Sequence, residues 1–138
     1  MIKEIQENII SKLSEITEAK TVDVWHGDIE DMLKSPQKLP ALFSIYQGCG
    51  FREKEIIGTS IAPHDMTFLI VLLNRNLKSH KSGSEECYLI IEKIRERLIE
   101  YKISPYGWLW PVKEELIIVK SGILGYGLEY KLNTRTGG

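Results

Sequence analysis

The sequence predicts an α+β domain: a mostly antiparallel sheet with two main amphipathic helices packed on one of its faces. Three observations carry this. Two stretches, one at the N-terminus and one after residue 83, repeat apolar residues at steps of three and four. Between and after them lie apolar runs of strand length, Ala41 to Tyr46 and Thr67 to Leu73. Proline and glycine punctuate the gaps, at Pro36, Pro40, Gly48, Gly50, Pro105, Gly107 and Gly122.

In order along the chain, Ile2, Ile5, Ile9, Leu13 and Ile16 form one stripe of a helix from Ile2 to Thr17, with Lys3, Glu4, Glu7, Lys12 and Glu15 between them. Val22 and Val24 alternate with Asp23 in a short strand from Thr21 to Trp25. His26, Gly27 and Asp28 break it, and a brief helical turn can follow over Ile29 to Leu33. Pro40 stands at the mouth of the strand Ala41 to Tyr46, where its missing donor does least harm. Gly48-Cys49-Gly50 reads as a turn, and Phe51 to Ile57 as a charged edge strand or protruding hairpin.

Thr67 to Leu73 is apolar at almost every position, the mark of a strand covered on both faces and so of the sheet's centre. Asn74 to Gly83 is polar, basic and aperiodic, an exposed loop. Ser82 to Glu85 resembles a capping box that opens the second long helix. There Cys87, Ile90, Ile91, Ile94, Leu98 and Tyr101 share one side, until Ser104 to Gly107 end it. Trp108 to Pro111, Glu115 to Val119 and Tyr126 to Leu132 complete the sheet as two or three strands. With helices on one face, the other face of the central strand needs cover from a short segment or from a neighbouring subunit.

The 138 residues fit one domain, 1–138, with no internal repeat or linker. Eighteen basic side chains against nineteen acidic ones, and a pI near 6.3, give no field to draw in nucleic acid or anionic lipid. Cys49 and Cys87 have neither a CxxC spacing nor a nearby histidine pair, against a zinc site and against a disulfide framework. No apolar run approaches the ~20 residues that span a bilayer, and the N-terminal segment carries acids where a signal peptide has its apolar core. No membrane association is therefore expected.

Candidate chemistry is sparse, and no cofactor or metal is expected. His26 and Asp28, with Glu30 and Asp31 behind them, form the densest polar cluster, but one turn cannot aim them all at one ion; a capped turn explains them. His64 and Asp65 enter the central strand without a metal-spaced partner. A small hydrolase using His26, Asp28, His64 and Asp65 requires all four to converge. The loop with Arg75, Lys78, His80 and Lys81 could hold a phosphate, yet no aromatic residue interleaves the charges for base stacking. Gly48 to Gly50 and Gly125 to Gly127 are too short for dinucleotide fingerprints. Trp108 and Trp110 flank Leu109, so on a strand both lie on one face, either as core aromatics or as exposed interface anchors.

Taken together, several segments resemble the small tail-assembly protein of Mu-like phages and prophages, in the tail terminator or tail-completion class. They are Met1 to Ile10, the acidic turn His26 to Glu30, Leu39 to Leu42 entering a strand that closes at Gly48, the apolar strand ending Asn74-Arg75-Asn76, the helix Glu86 to Leu98, and Trp108 to Pro111 before the last strands. The densely basic loop Asn74 to Gly83 departs from that pattern. The resemblance implies a non-enzymatic virion assembly protein, made in the host bacterial cytoplasm, that forms rings, typically of six copies, and caps the tail tube where the head docks. It implies tail-tube and head-completion proteins as partners. On this view Trp108 and Trp110, Phe51 and Arg52 of the charged hairpin, and Arg75 and Lys78 of the basic loop are the expected contact residues.

Overall fold

The computed structural model describes residues 1–34, 37–51, 62–76, 80–120 and 122–136. Arg52 and Lys78, and most of the expected Phe51 to Ile57 hairpin, lie outside the described residues. The elements are α1 (Ile2–Leu13), β1 (Thr21–Val24), α2 (Ile29–Lys34), β2 (Ala41–Phe51), β3 (Ala62–Asn76), α3 (His80–Leu98), β4 (Lys102–Ile103), β5 (Gly107–Lys120) and β6 (Gly122–Thr136). The strands form one mixed sheet in the order β1-β2-β3-β6-β5-β4, curved into a half-barrel. Among them only β1 and β2 run parallel, joined by the short crossover through α2.

Helix α1 is amphipathic as its spacing requires: Ile5, Ile9 and Leu13 are fully buried. It stops at Leu13 instead of Thr17, with Ser14 as its C-cap and the Ser14 hydroxyl donating to the Ile10 carbonyl at 2.7 Å. Ile16 remains buried beyond the helix end. The buried stripes of α1 and α3 share one core with Met66, Phe68, Ile70 and Leu72 of β3 and Leu124, Leu128, Tyr130 and Leu132 of β6. The intervening β3 residues Val71 and Leu73 turn to the opposite face. There they meet Ala41, Phe43 and Ile118, with Met32 of α2 lying over them. Two helices on a single face is thus half of the arrangement. A third helix covers one end of the second face, so in that place a short segment of the chain itself provides the cover that the apolar β3 demands.

Three other expectations need correction. Gly48-Cys49-Gly50 is no turn: β2 runs through it to Phe51, and a bulge after Tyr46 absorbs one extra residue before Gly48 pairs with Thr67. Asn74 to Gly83 is not one loop, since Asn74 to Asn76 continue β3 and α3 opens at His80, ahead of the Ser82 to Glu85 pattern. The C-terminal third holds two strands, within the two or three expected, but with longer bounds: Trp108 to Pro111 and Glu115 to Val119 belong to one strand, β5, and β6 starts at Gly122, ahead of Tyr126. Strong local pairing outweighs weak turn signals in each case.

Glycine shapes the second face. A Cβ at Gly125 would stand 3.1 Å from both Ile118 and Leu73, and one at Gly127 would stand 3.3 Å from Ile117 and Leu69. Since β6 is bare there, side chains of the strands on either side of it close over its backbone. That lets the sheet curve with its apolar filling intact.

Gly107, which opens β5, is more tightly constrained. Its φ of 150° disfavours L side chains, and a Cβ would fall 2.5 Å from the Asn133 carbonyl oxygen. Gly107→Ala is expected to lower unfolding stability in urea by about 1–3 kcal/mol. Gly50→Ala, where a Cβ meets nothing within 4 Å, should stay within about 0.5 kcal/mol of the parent.

Candidate functional site

The four hydrolytic candidates do not meet. Asp28 is the cap of the turn into α2: one carboxylate oxygen accepts the Asp31 N–H at 2.8 Å, and its carbonyl accepts the Trp25 indole N–H at 3.0 Å. His26 is exposed one step before this turn. His64 and Asp65 are successive residues of β3 and so point to opposite faces, His64 being buried. Val24 is level with Ser44, and Ser44 with Ile70, six residues along β3 from His64. At ~3.3 Å per residue and ~4.8 Å between strands, His26 is left on the order of 15 Å from His64. Among the described residues there is no group of three or more histidines, cysteines or acids able to hold a metal.

A cleft of about 650 Å³ lies between the first turns of α1, the end of β1 and the middle of β2. Ile2, Val24, Trp25, Ile45 and Tyr46 give it an apolar wall. Gln6, also in its lining, is occupied by Ser44: the Ser44 hydroxyl donates to the Gln6 side-chain oxygen, and both residues are buried. Of the four candidates only His26 lines the cleft.

Neither cysteine is prepared for nucleophilic work. Burial pushes the Cys87 thiol up to about 11, against a smaller opposing effect of a hydrogen bond with Asn74. Desolvation, then the Asp65 charge, also raises Cys49. With iodoacetamide at neutral pH and peptide mass mapping, half-buried Cys49 should be labelled first and fully buried Cys87 only as the protein unfolds. Equal labelling rates in the folded protein would contradict this placement.

The feature that stands out is the edge of the sheet at β5. Beside it β4 is only two residues long and pairs with Gly107 and Trp108 alone. Leu109 is held on the same side by two further bonds, donating to the Tyr101 carbonyl at 2.9 Å and accepting from the Glu100 N–H at 3.0 Å. From Trp110 onward no described strand pairs with this edge of β5. Leu109 is buried, whereas Trp108 and Trp110 are 56% and 48% exposed, the same-face pair that the alternation predicts. The Lys102 ammonium lies over the Trp108 ring at 5.5 Å.

Farther along, Val112, Leu116 and Val119 are also exposed. Sequence reading missed these three. Bulges at 111–113 and 116–118 break the alternation that would have grouped them with the tryptophans. Glu114 is tied to α3 by Arg95, whose Nε donates to one carboxylate oxygen at 2.9 Å while an Nη donates to the other.

The other expected contact residues are spread out. Phe51 pairs with His64, and His64 with Thr134, which puts Phe51 at the same end of the sheet as Trp108 but three strands away. Arg75 is exposed at the far end, opposite Ile123. Among the described residues, the sheet therefore does not gather Trp108, Trp110, Phe51 and Arg75 into one patch.

No protein-family model matches the sequence, and no curated protein matches it. Among solved structures the chain is similar to one from the "Virion of native gene transfer agent (GTA) particle". The TM-score is 0.60 at 10% sequence identity, over 96% of this chain and 95% of that one. At that identity the likeness is one of fold. No helix among the described residues is long and apolar enough to cross a membrane.

Proposed function

We propose that the chain is a structural protein of a phage or prophage tail. In this reading a tail-terminator-like domain associates with itself and caps or completes the tail tube for head–tail joining. The observation that carries the proposal is the end-to-end similarity of fold to a chain of a gene transfer agent particle, with nearly the full length of both chains covered. Two independent features agree with it: the separation of His26 and Asp28 from His64 and Asp65, and a strand edge, paired by no described strand beyond Leu109, lined with exposed apolar side chains.

The mechanism is geometric. Complementary surfaces give affinity, and closed symmetry sets the copy number. A ring, typically of six, is the form that the sequence resemblance implies, with tail-tube and head-completion proteins as its neighbours and the virion as its destination. Trp108 and Trp110 are the proposed anchors, since large exposed aromatics at a rigid strand contribute binding energy at little entropic cost. Arg75 at the opposite end of the sheet suits a second contact.

Deleting the gene from the element that encodes it should leave heads and tails that fail to join, visible by electron microscopy, with joining restored by the gene in trans. Trp108→Ala combined with Trp110→Ala should fold normally by circular dichroism and restore joining at least about tenfold less well, as expected for loss of one interface hot spot. Normal particles from the deletion would overturn the assembly role; full restoration by the double variant would remove the two anchors alone.

A further inference from the structure

We infer that the outer edge of β5 pairs with the same edge of a second copy of this chain, antiparallel, about a two-fold axis at Glu114. The inference deepens the self-association proposed above and rests on that reading only in this respect.

The geometry begins with the regular β6, which pairs with β3 from Gly122 to Thr136 without a bulge. Adjacent residues of a strand direct their backbone groups to opposite sides. Leu109, opposite Leu132, directs both of its groups outward, to Tyr101 and Glu100. The β5 residues opposite the other even-numbered residues of β6 are then outward as well: Pro111 opposite Tyr130, Glu114 opposite Leu128, and Leu116 opposite Tyr126. Pro111 sits where a missing N–H takes nothing from the sheet. Glu114 presents a backbone donor and acceptor to whatever comes alongside, as the central residue of a two-fold antiparallel pair requires.

Charge identifies the occupant. Lys113 and Glu115 flank Glu114 on the same face, 3.6 Å apart between Nζ and Oε1 and both well exposed. Antiparallel pairing centred on Glu114 brings Lys113 of each copy opposite Glu115 of the other, twice by symmetry. These are the closer, non-hydrogen-bonded positions of the ladder. The segment is thus complementary to itself. The two Glu114 carboxylates that approach at the axis are each already neutralised by Arg95 of their own chain. Exposed Val112 and Leu116 come near one another on either side; Val112 lies in the first bulge and the second follows Leu116, so straight pairing is confined to Lys113 to Leu116. Such a pair is isologous and closes as a two-fold dimer, a contact between copies distinct from the head-to-tail contacts that close a one-way ring.

The test is charge reversal on the full chain, read by sedimentation velocity and native mass spectrometry. The parent should form even-numbered assemblies. Lys113→Glu alone and Glu115→Lys alone each set like charges opposite one another and should weaken assembly at least about tenfold. The double reversal Lys113→Glu with Glu115→Lys recreates the complementarity and should restore it. The variant Glu114→Cys should cross-link to a second copy of itself through the introduced thiols on mild oxidation, since a hydrogen-bonded antiparallel pair places Cα atoms ~5.5 Å apart.

A monomeric parent overturns the inference, as does a double variant no better than the singles, or single reversals without effect. An edge that instead takes a strand from a tail-tube protein also overturns it. Head–tail joining, scored separately, keeps a failure of this pairing distinct from a failure of the assembly role: particles can depend on the protein while its copies meet elsewhere.

Discussion

Every other strand is placed by the fifteen-residue ladder between β3 and β6, which runs from Ala62 opposite Thr136 to Asn76 opposite Gly122 with no irregularity. A two-fold alternation maintained over that length leaves no freedom about which side chains face which layer. One set, Met66 to Leu72 on β3 with Leu124 to Leu132 on β6, faces the stripes of α1 and α3. The other set meets α2 at one end and the glycines of β6 across the way. Bulges occur in the strands that flank this pair, β2 and β5, where the ladder is adjusted to the bend instead of setting it. A one-residue slip between β3 and β6 would put Phe68 and Tyr130, both fully packed on one side, in opposite layers.

Much of this was readable from residues because the strongest signals were periodic. The 3.6-residue stripes of α1 and α3 and the doubly apolar run of β3 are dictated by burial, and burial is what they show. What escaped were the features that depend on pairing partners. Gly48 and Gly50 look like a turn locally, yet β2 continues because Thr67, Met66 and Asp65 wait in register beside it. Asn74, Arg75 and Asn76 look like loop, yet Leu124, Ile123 and Gly122 extend the ladder to them. The parallel pairing of β1 with β2 also has no mark in the sequence; it follows from α2 being long enough to return the chain along the sheet.

The functional surface was legible in part for the same reason. Alternation around Leu109 put Trp108 and Trp110 on one side, but only the shortness of β4 decides that this side is open. Residues chosen for charge in loops, Arg52 and Lys78, lie outside the described residues, and Arg75 belongs to a strand end remote from the tryptophans. The four polar residues that could have made a catalytic group are kept apart by the sheet itself, with His64 and Asp65 on opposite faces of one strand. A catalytic set shared by neighbouring chain positions needs a bend; a straight β3 denies one.

Pro111 carries a consequence for what can be added along β5. It stands in an edge that no described strand pairs, with its ring nitrogen facing outward, immediately before a bulge. Any foreign strand laid along β5 loses a donor at that point and then meets a kink, so an added ladder cannot lengthen in this direction. Growth into stacked cross-strand fibres is thereby blocked at one end of an edge otherwise rich in exposed valine, leucine and tryptophan.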